Sequence, residues 1–258
     1  MMKKLLVLMM TIIAAVAMLT AGCGGGEKKA DGEKVLRVAT EPTFAPFEFQ
    51  KEGSKDYDGF DMDLARAIGK QMGYKVEIVN MGFDALIPAL NAGNVDVVAA
   101  GMSITDERKK AVTFTDPYYT SGLIVMVNKD NKEVKSIKDL EGKRIAAQIG
   151  TTGENKARTV KGATVTAFNT NTEVAMELKN KGVDAVINDS PVVGYYLAQG
   201  GNESAMTVGE IIEAEKYGLA VKKGNDKLAA EINKALAELK KNGEYDKIYK
   251  TWFGEVKK

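Results

Sequence analysis

Small polar residues follow several of the predicted strands at the point where a strand ends and a helix begins. The three clearest cases are residues 95–99 leading into GMSITDER (101–108), 144–148 leading into GTTGE (150–154), and 184–187 leading into NDSP (188–191). In open α/β sheets a ligand lies beyond the carboxyl ends of the strands, where the first N–H groups of the following helices lack an intrahelical partner. The pattern is therefore typical of ligand binding, and two halves that both carry it would form a cleft if they faced one another.

The composition excludes several kinds of covalent and metal-dependent chemistry. The chain has 258 residues with one Cys and no His, so it can form no Ser-His-Asp triad, no Cys-His pair, no HExxH zinc site and no intrachain disulfide. GTTGE lacks the GK[ST] of a phosphate-binding loop. Because 36 Lys and Arg balance 35 Asp and Glu, the charge offers no surface for nucleic acid. We therefore expect non-covalent binding with no catalytic residue, no metal and no cofactor.

The elements that position these turns alternate between strands and helices from residue 35 onward, which predicts an α/β architecture. In the first helix, residues 61–72, Leu64, Ile68 and Met72 recur at a spacing of four and form an apolar stripe, and Gly73 ends the helix. The acids of its segment GFDMDLARA lack the spacing of a calcium loop and are expected to face solvent. Strands are predicted at residues 35–39, 76–79, 95–99, 122–127, 144–148, 164–168, 184–187 and 218–221, and further helices at 83–90, 137–140, 172–179, 190–196 and along two C-terminal segments.

Residues 1–22 are typical of an export signal. Lys3 and Lys4 precede an apolar run over residues 5–19, and the segment LTAGC ending at Cys23 resembles the lipobox of bacterial lipoproteins, with Thr20 where Leu is commoner. We expect lipid attachment at Cys23, followed by a flexible tether over residues 23–34 that is rich in glycine and charge. An ordinary signal peptide with an incidental Cys and a membrane span are the alternatives, although the apolar run is short for a span.

Seven motifs follow one another after residue 35: VATEPTFAPFEF, GFDMDLA, IPAL, AGMSITDERKKAVTFTDPYY, IGTTGE, INDSP and YDKIYKTWFG. In this order they resemble the extracytoplasmic substrate-binding proteins of ABC importers for polar amino acids, a group that includes the glutamine- and lysine/arginine/ornithine-binding proteins. The resemblance implies a two-lobed periplasmic-binding-protein-like fold of type II, with two hinge strands and a ligand in the interlobe cleft. Residues 35–118 and 218–258 are the first lobe by that analogy, and residues 119–217 are the second lobe with the hinge strands.

The resemblance also implies residues that bind the charged head of a free amino acid. For the carboxylate it points to Arg108, whose guanidinium offers two parallel N–H donors, together with Ser103 and Thr152. The alternative for Arg108 is a solvated surface charge. For the ammonium it points to Asp189 and the Gly101 carbonyl, although an Asp before a helix is also a common N-cap. The predicted binding set also includes Ala100 and Thr151.

The motif matches place Phe44 and Phe83 as aromatic walls around the side chain of the ligand, with Glu41 as an acceptor at its distal end. Gln148 stands where glutamine-specific relatives commonly carry Lys, so the pocket beside Glu41 has a net negative charge. An unpaired buried charge is costly, and a cationic ligand would compensate it. We therefore expect arginine as the favoured ligand and glutamine next, with rejection of glutamate and aspartate.

The expected function is extracytoplasmic binding of this amino acid by lobe closure and its delivery to the permease of an ABC importer. The expected partners are the ligand, the permease and the membrane through the lipid on Cys23, with no nucleic acid, and the protein is expected to be an exported monomer. An enzyme on the same scaffold, similar to cyclohexadienyl dehydratases, is the alternative, with Glu41 or Glu154 as its general acid.

Overall fold

The computed structural model describes residues 34–51 and 53–254. Strands and helices alternate along this part of the chain, so the predicted α/β architecture is confirmed. The predicted signal peptide and all but the last residue of the predicted tether lie outside the described residues.

The strands are β1 (Val35–Thr40), β2 (Thr43–Phe44), β3 (Glu48–Gln50), β4 (Tyr57–Asp58), β5 (Lys75–Asn80), β6 (Val97–Val98), β7 (Val112–Phe114), β8 (Tyr119–Asn128), β9 (Arg144–Gln148), β10 (Thr164–Phe168), β11 (Ala185–Asp189), β12 (Ala205–Tyr217) and β13 (Ala220–Lys222). The helices are α1 (Phe60–Met72), α2 (Phe83–Ala92), α3 (Asp106–Ala111), α4 (Thr152–Arg158), α5 (Asn171–Lys179), α6 (Ser190–Ala198), α7 (Asp226–Lys241) and α8 (Glu244–Phe253), with 3₁₀ turns at Ile137–Leu140 and Gly201–Glu203.

The first sheet has the strand order β5-β1-β6-β13-β7. Strand β1 is parallel to β5 and β6, whereas β13 is antiparallel to β6 and β7. On α1 two residues of the predicted apolar stripe, Leu64 and Ile68, are at most 1% exposed and belong to the same core cluster as Val38 of β1. The third, Met72, is partly buried against that cluster. The helix ends before Gly73, whose φ of 74° is a left-handed conformation that glycine adopts without strain.

The second sheet has the strand order β10-β9-β11-β8-β12. Strands β10, β9 and β11 are parallel, and α4 and α5 make the crossovers that parallel neighbours require. Strand β8 is antiparallel to β11 on one side and to β12 on the other. Ala157 of α4 and Val174 and Leu178 of α5 are buried in the clusters that cover this sheet.

Strands β8 and β12 connect the two lobes. They pair antiparallel along their length, with a register shift after Val208. At one end, the rings of Tyr119 and Tyr217 lie 4.9 and 5.1 Å from the ring of Phe47 in the first lobe. Toward the other end, Val125 and Val208 belong to the core of the second sheet. The predicted fold with two lobes and two connecting strands is therefore confirmed, whereas the predicted residue limits of the lobes stay a prediction.

Helices α7 and α8 complete the first lobe. Helix α7 is amphipathic as predicted, and Ile232, Leu236 and Leu239 are buried on one of its faces. On α8 the indole N–H of Trp252 donates to the Asp63 carboxylate on α1 at 2.9 Å, which fixes the C-terminal helix against α1. None of the helices in the described residues combines the length and the apolar character needed to cross a membrane.

The small sheet β2-β3-β4 and most of β12 were not predicted from the sequence. Strands β2 and β4 have two residues each and β3 has three, so they are too short to show a period. In β12 only the two terminal residues are fully buried, and the strand therefore lacks the apolar run of a buried strand. These omissions concern function, because Phe44 and Glu48 lie on the small sheet and Glu215 lies on β12.

Candidate ligand-binding site

Ten of the eleven predicted site residues line one cavity between the lobes. The cavity lies where the loops after β6, β9 and β11 meet, as expected for the carboxyl ends of strands in α/β sheets. Gln148, the eleventh residue, contacts Glu41 from behind the cavity wall, and Glu48 is a lining residue that was not predicted. The lining residues are Glu41, Phe44, Glu48, Phe83, Ala100, Gly101, Ser103 and Arg108 of the first lobe and Thr151, Thr152 and Asp189 of the second.

Arg108 lies in the first turn of α3 and reaches across the cleft. The side chain of Thr105 accepts a hydrogen bond from the Arg108 backbone N–H at 3.1 Å, and this N-cap fixes the start of the helix. The guanidinium donates to the Ser103 carbonyl at 2.8 Å and to the Gly150 carbonyl of the second lobe at 3.0 Å. It lies 5.3 Å from the centre of the Phe83 ring, within the range of a cation–π contact. Arg108 is therefore held at the cavity rather than solvated on the surface.

Asp189 is the last residue of β11, and its carboxylate faces the connecting strands. Oδ1 accepts hydrogen bonds from the Ser121 hydroxyl of β8 at 2.9 Å and from the Tyr217 hydroxyl of β12 at 2.5 Å. Among the described residues the Asp189 side chain makes no capping hydrogen bond to the first turn of α6. The N-cap alternative is therefore wrong for this side chain, which is 5% exposed and lines the cavity.

Acidic and basic groups meet beside Ser103. The Ser103 hydroxyl donates to Oε2 of Glu215 at 2.8 Å. Burial raises the pKa of Asp189 to about 7, and the negative charge of Glu215 adds to the increase. Burial lowers the pKa of Arg108, but Glu215 and Asp189 oppose this change, and a guanidinium stays protonated in proteins. This end of the cavity thus combines a permanent cation with acids.

Glu215 and Tyr217 are the functional neighbours that sequence reasoning missed at this end. They lie two positions apart on β12, so their side chains share one face of the strand. The family resemblance implied a hinge strand in this part of the chain but assigned no role to either residue, and the exposed pattern of β12 gave no signal of its own.

Gly101 and Phe44 form a closely packed part of the wall. Gly101 has a φ of 51°, and a Cβ atom at this position would lie 2.6 Å from Cε1 of Phe44, so any other residue would displace the ring. The Phe44 ring packs 5.8 Å from Phe47 and 6.5 Å from Tyr217. These contacts hold an aromatic face at the cavity.

Glu41 of the first lobe and Gln148 of the second lobe form a hydrogen-bonded pair across the cleft. Oε2 of Glu41 accepts hydrogen bonds from the Thr43 hydroxyl at 2.7 Å and from Nε2 of Gln148 at 2.8 Å. Burial raises the pKa of Glu41, and these two hydrogen bonds oppose the increase. The pair contains one acid and no basic group, and the Glu41 side chain is hydrogen-bonded rather than unpaired.

Helix α4 begins at the cavity with Thr151 and Thr152. The Thr151 hydroxyl oxygen accepts from the Glu154 backbone N–H at 3.1 Å and caps the helix. Thr152 starts the first turn, whose N–H groups have no intrahelical acceptor. Glu154 is not among the residues that line the cavity. Its Oε1 accepts two hydrogen bonds from Arg158 at 2.6 and 2.9 Å, and its Oε2 accepts the Gly150 N–H at 2.6 Å.

The expectation that the acids of α1 face solvent is wrong for Asp61, which is fully buried. Its Oδ2 accepts hydrogen bonds from the Gly101 N–H at 2.8 Å and from the Tyr118 hydroxyl at 2.6 Å. Asp61 precedes Leu64 and Ile68 by three and seven positions, so it lies on the apolar stripe of the helix. That spacing is a signal in the sequence from which its burial could have been inferred.

We expect Asp61→Asn to reduce the pH dependence of thermal stability. Burial raises the pKa of Asp61 to about 7, from about 4 in an unfolded chain. Its contribution to folding is therefore fully present below about pH 4 and is lost as the pH rises through about 7. Asparagine keeps both acceptor bonds but does not titrate.

Scanning calorimetry of the protein at pH 5 and pH 8 tests this expectation. The melting temperature of the wild type should fall more between the two values than that of Asp61→Asn, with roughly 2–4 °C for each kcal/mol in a chain of this size. Asp56→Asn, which changes an exposed acid, should behave as the wild type does. An equal fall in melting temperature between pH 5 and pH 8 for the wild type and Asp61→Asn would contradict the raised pKa of Asp61.

Comparisons with known proteins show the family of this chain. The family of bacterial extracellular solute-binding proteins, family 3, matches residues 36–255. A probable histidine-binding protein of Neisseria gonorrhoeae is 34% identical over 94% of both chains, and the arginine-binding extracellular protein ArtP of Bacillus subtilis is 35% identical over 98% of both. An ancestral arginine-binding protein solved with arginine is 48% identical, with a TM-score of 0.83 over 86% of this chain and 99% of the other. The predicted family resemblance is thus confirmed, and the chain belongs to the bacterial extracellular solute-binding proteins, family 3.

Proposed function

We propose that the protein binds a free polar amino acid between its lobes, with arginine as the preferred ligand and glutamine second. The observation that carries this proposal is the position of Arg108 and Asp189, which bring opposite charges from different lobes to the walls of one cavity. A free amino acid carries a carboxylate and an ammonium group on one carbon, so a single ligand can bind both side chains. The relatives named for arginine and histidine support the same ligand class.

The charged head of the ligand is bound by groups from both lobes in this proposal. Arg108 donates two parallel N–H bonds to the carboxylate, as guanidinium groups commonly do. Ser103 and the first N–H groups of α4, beginning at Thr152, add donors to the same carboxylate. Asp189 accepts the ammonium, and the carbonyl of Gly101 is its second acceptor.

The side chain of the ligand extends toward Glu41 between aromatic walls. Phe44 and Phe83 line the cavity and can cover the aliphatic stem of a long side chain. Glu41 then accepts N–H groups from its distal end. Because Gln148 brings no positive charge to Glu41, a guanidinium ligand supplies the missing cation, and this favours arginine over glutamine.

We expect Glu41→Gln to weaken arginine more than glutamine. Removing one member of a buried charge pair costs about 2–5 kcal/mol, so the arginine affinity should fall at least about thirtyfold. The amide of glutamine needs only a neutral acceptor and should lose about threefold or less. Isothermal titration with both ligands measures the two ratios, and Glu77→Gln on the exposed edge of β5 controls for the loss of one negative charge. A larger loss for glutamine than for arginine would contradict the argument.

Ligand binding favours lobe closure because only the closed arrangement lets both lobes contact one small molecule. Strands β8 and β12 are the connections about which the lobes rotate in this proposal. We further propose that the protein is exported, anchored through a lipid on Cys23, acts as a monomer and delivers its ligand to the permease of an ABC importer. The motif at residues 19–23 and the family membership support these steps.

A thermal-shift screen against the twenty common amino acids and ornithine tests the proposed function. A ligand that binds only the folded protein at a hundred times its Kd adds about 2.7 kcal/mol, which corresponds to a shift of roughly 5–10 °C. Arginine should produce the largest shift and glutamine the next, while glutamate and aspartate should produce none. A screen in which no amino acid raises the melting temperature would overturn the proposal.

The alternative of a dehydratase-like enzyme requires a general acid at the cavity. Both oxygens of Glu154 accept hydrogen bonds from Arg158 and Gly150, which does not suit a proton donor. Glu41 is the remaining predicted acid, and its position is equally explained by ligand binding. The relatives reported above are named as binding proteins, which supports a protein without catalysis, and incubation with prephenate or arogenate followed by product analysis tests the alternative.

A further inference from the structure

A continuous chain of side-chain amides runs behind the cavity from Asp189 to Glu41. The backbone N–H of Asp189 donates to Oδ1 of Asn188 at 2.9 Å, and Nδ2 of Asn188 donates to Oδ1 of Asn171 at 2.9 Å. Nδ2 of Asn171 donates to Oε1 of Gln148 at 2.6 Å, and Nε2 of Gln148 donates to Oε2 of Glu41 at 2.8 Å. Every bond in this series points its N–H toward Glu41, so the orientation of each amide determines the next.

We propose that Asn171 and Asn188 are positioning residues that set ligand selectivity, because they hold Gln148 with its N–H group toward Glu41. This inference rests on the proposed function and assigns a role to two residues that do not touch the charged head of the ligand. They act through Gln148, which is the last amide before the side-chain end of the cavity.

The contacts of Gln148 leave it one orientation. Its Nε2 group donates both to Glu41 and to the Asn169 carbonyl at 3.0 Å, while its Oε1 accepts from Asn171. A flipped amide would turn its oxygen toward the Glu41 carboxylate and its NH₂ group toward the Asn171 donor, and both contacts would be repulsive. Gln148 and Asn171 are 4% and 8% exposed, so water cannot readily replace the lost bonds, and buried amides without partners are costly.

Asn171 also joins the lobes through its backbone. Its N–H donates to the Thr43 hydroxyl at 3.0 Å, and that hydroxyl donates to Glu41. Asn171, the first residue of α5, therefore bonds both the Thr43 hydroxyl and the Gln148 side chain, and each of these groups donates a hydrogen bond to Glu41. With these donors in place the carboxylate can stay ionised in a buried position, and an ionised Glu41 favours a cationic ligand over a neutral one.

The consequence for ligands is a dependence of selectivity on Asn171. Without its side chain, Gln148 loses the bond that orients it, and Glu41 loses a reliable donor. Arginine, which depends on the charge of Glu41, is then weakened more than glutamine. Loss of a packing contact alone would lower both affinities by the same factor.

A double-mutant cycle with Asn171→Ala, Gln148→Ala and the combined variant tests the proposal. Isothermal titration measures Kd for arginine and for glutamine at pH 7.5. We expect Asn171→Ala to weaken arginine about tenfold and to reduce the preference for arginine over glutamine at least about threefold. The combined variant should be little weaker than Gln148→Ala alone, because residues in one hydrogen-bond network are not additive.

Two further variants make the outcome decisive. Asn188→Ala, at a half-buried position, breaks the chain one step earlier and should reduce the preference in the same direction, even if Asn171→Ala does not fold. Thr172→Ala, at the exposed neighbouring position on α5, should leave both affinities unchanged.

Equal losses for the two ligands, or additive effects of Asn171→Ala and Gln148→Ala, would overturn the inference while leaving the proposed function intact. Failure of the wild-type protein to bind either amino acid would overturn the proposed function, and the inference with it.

Discussion

Replacing Arg108 with alanine is expected to reduce the affinity for arginine by at least about a hundredfold. The guanidinium reaches across the cleft, from α3 of the first lobe to the Gly150 carbonyl of the second, with Phe83 beneath it. Its removal leaves the ligand carboxylate without its charged partner inside the cavity. Truncating one partner of such a pair costs about 2–5 kcal/mol, and 2.8 kcal/mol corresponds to about a hundredfold in Kd.

Two variants separate the geometry of Arg108 from its charge. Arg108→Lys keeps the positive charge but loses the planar pair of donors, so we expect a loss of roughly tenfold. Lys110→Ala removes an exposed positive charge from the same helix and should have no effect on binding. Titration calorimetry with arginine measures all three variants, and an affinity of Arg108→Ala within threefold of the wild type would remove Arg108 from the site.

Replacing Asp189 with asparagine is expected to produce a loss of similar size, and it should also change the pH dependence of binding. Asparagine keeps the shape and can still accept hydrogen bonds from Ser121 and Tyr217. It carries no negative charge for the ligand ammonium, however, and its NH₂ group opposes that ammonium. We therefore expect about a hundredfold loss of affinity for every amino acid that the protein binds, whatever its side chain.

The sign of the pH effect follows from the raised pKa of Asp189. Burial raises this pKa to about 7, and the ammonium of a ligand stabilises only the ionised carboxylate. Below about pH 7 a proton must therefore leave before the ligand binds, so the affinity should fall by up to tenfold for each pH unit between 7 and 5. Above pH 7.5 the affinity should be constant until the ligand itself titrates.

The comparison between wild type and Asp189→Asn isolates this carboxyl from the other groups around it. Glu215 and Tyr217 face Asp189 from β12, and Arg108 lies across the cavity from it. Glu41 and Asp61 have raised pKa values, but they are present in both proteins. Competition titrations at pH 5, 6, 7 and 8 should show a steeper fall for the wild type than for Asp189→Asn. Parallel profiles would mean that Asp189 does not lose a proton when the ligand binds.

The helices with a clear apolar period and the strands that end at the cavity, β6, β9 and β11, were predictable from the sequence, whereas the small sheet and most of β12 were not. The stripe of Leu64 and Ile68 on α1 is buried as predicted, because a period close to 3.6 records directly which face is covered. Strands β2, β3 and β12 are short or exposed, so no such pattern exists for them. Glu48 was therefore missed together with β3, and Glu215 was missed although the family resemblance implied a hinge strand in that part of the chain.

The lining residues were found by a different route. Arg108, Asp189 and Gln148 follow from motif similarity, since neither a charge before a helix nor a glutamine at a strand end is specific by itself. The motifs do not show which hydrogen bonds each of these side chains makes. The bonds from Ser121 and Tyr217 to Asp189, and from Asn171 to Gln148, join residues 23 to 68 positions apart, and such contacts leave no local signal in the sequence.

The most direct measurement is a crystal structure of the protein grown with saturating L-arginine. The account predicts one arginine molecule in the cavity, with its carboxylate within hydrogen-bond distance of the Arg108 guanidinium and its ammonium within the same distance of the Asp189 carboxylate. A structure in which the bound molecule touches neither group, or in which it occupies another part of the protein, would contradict the account.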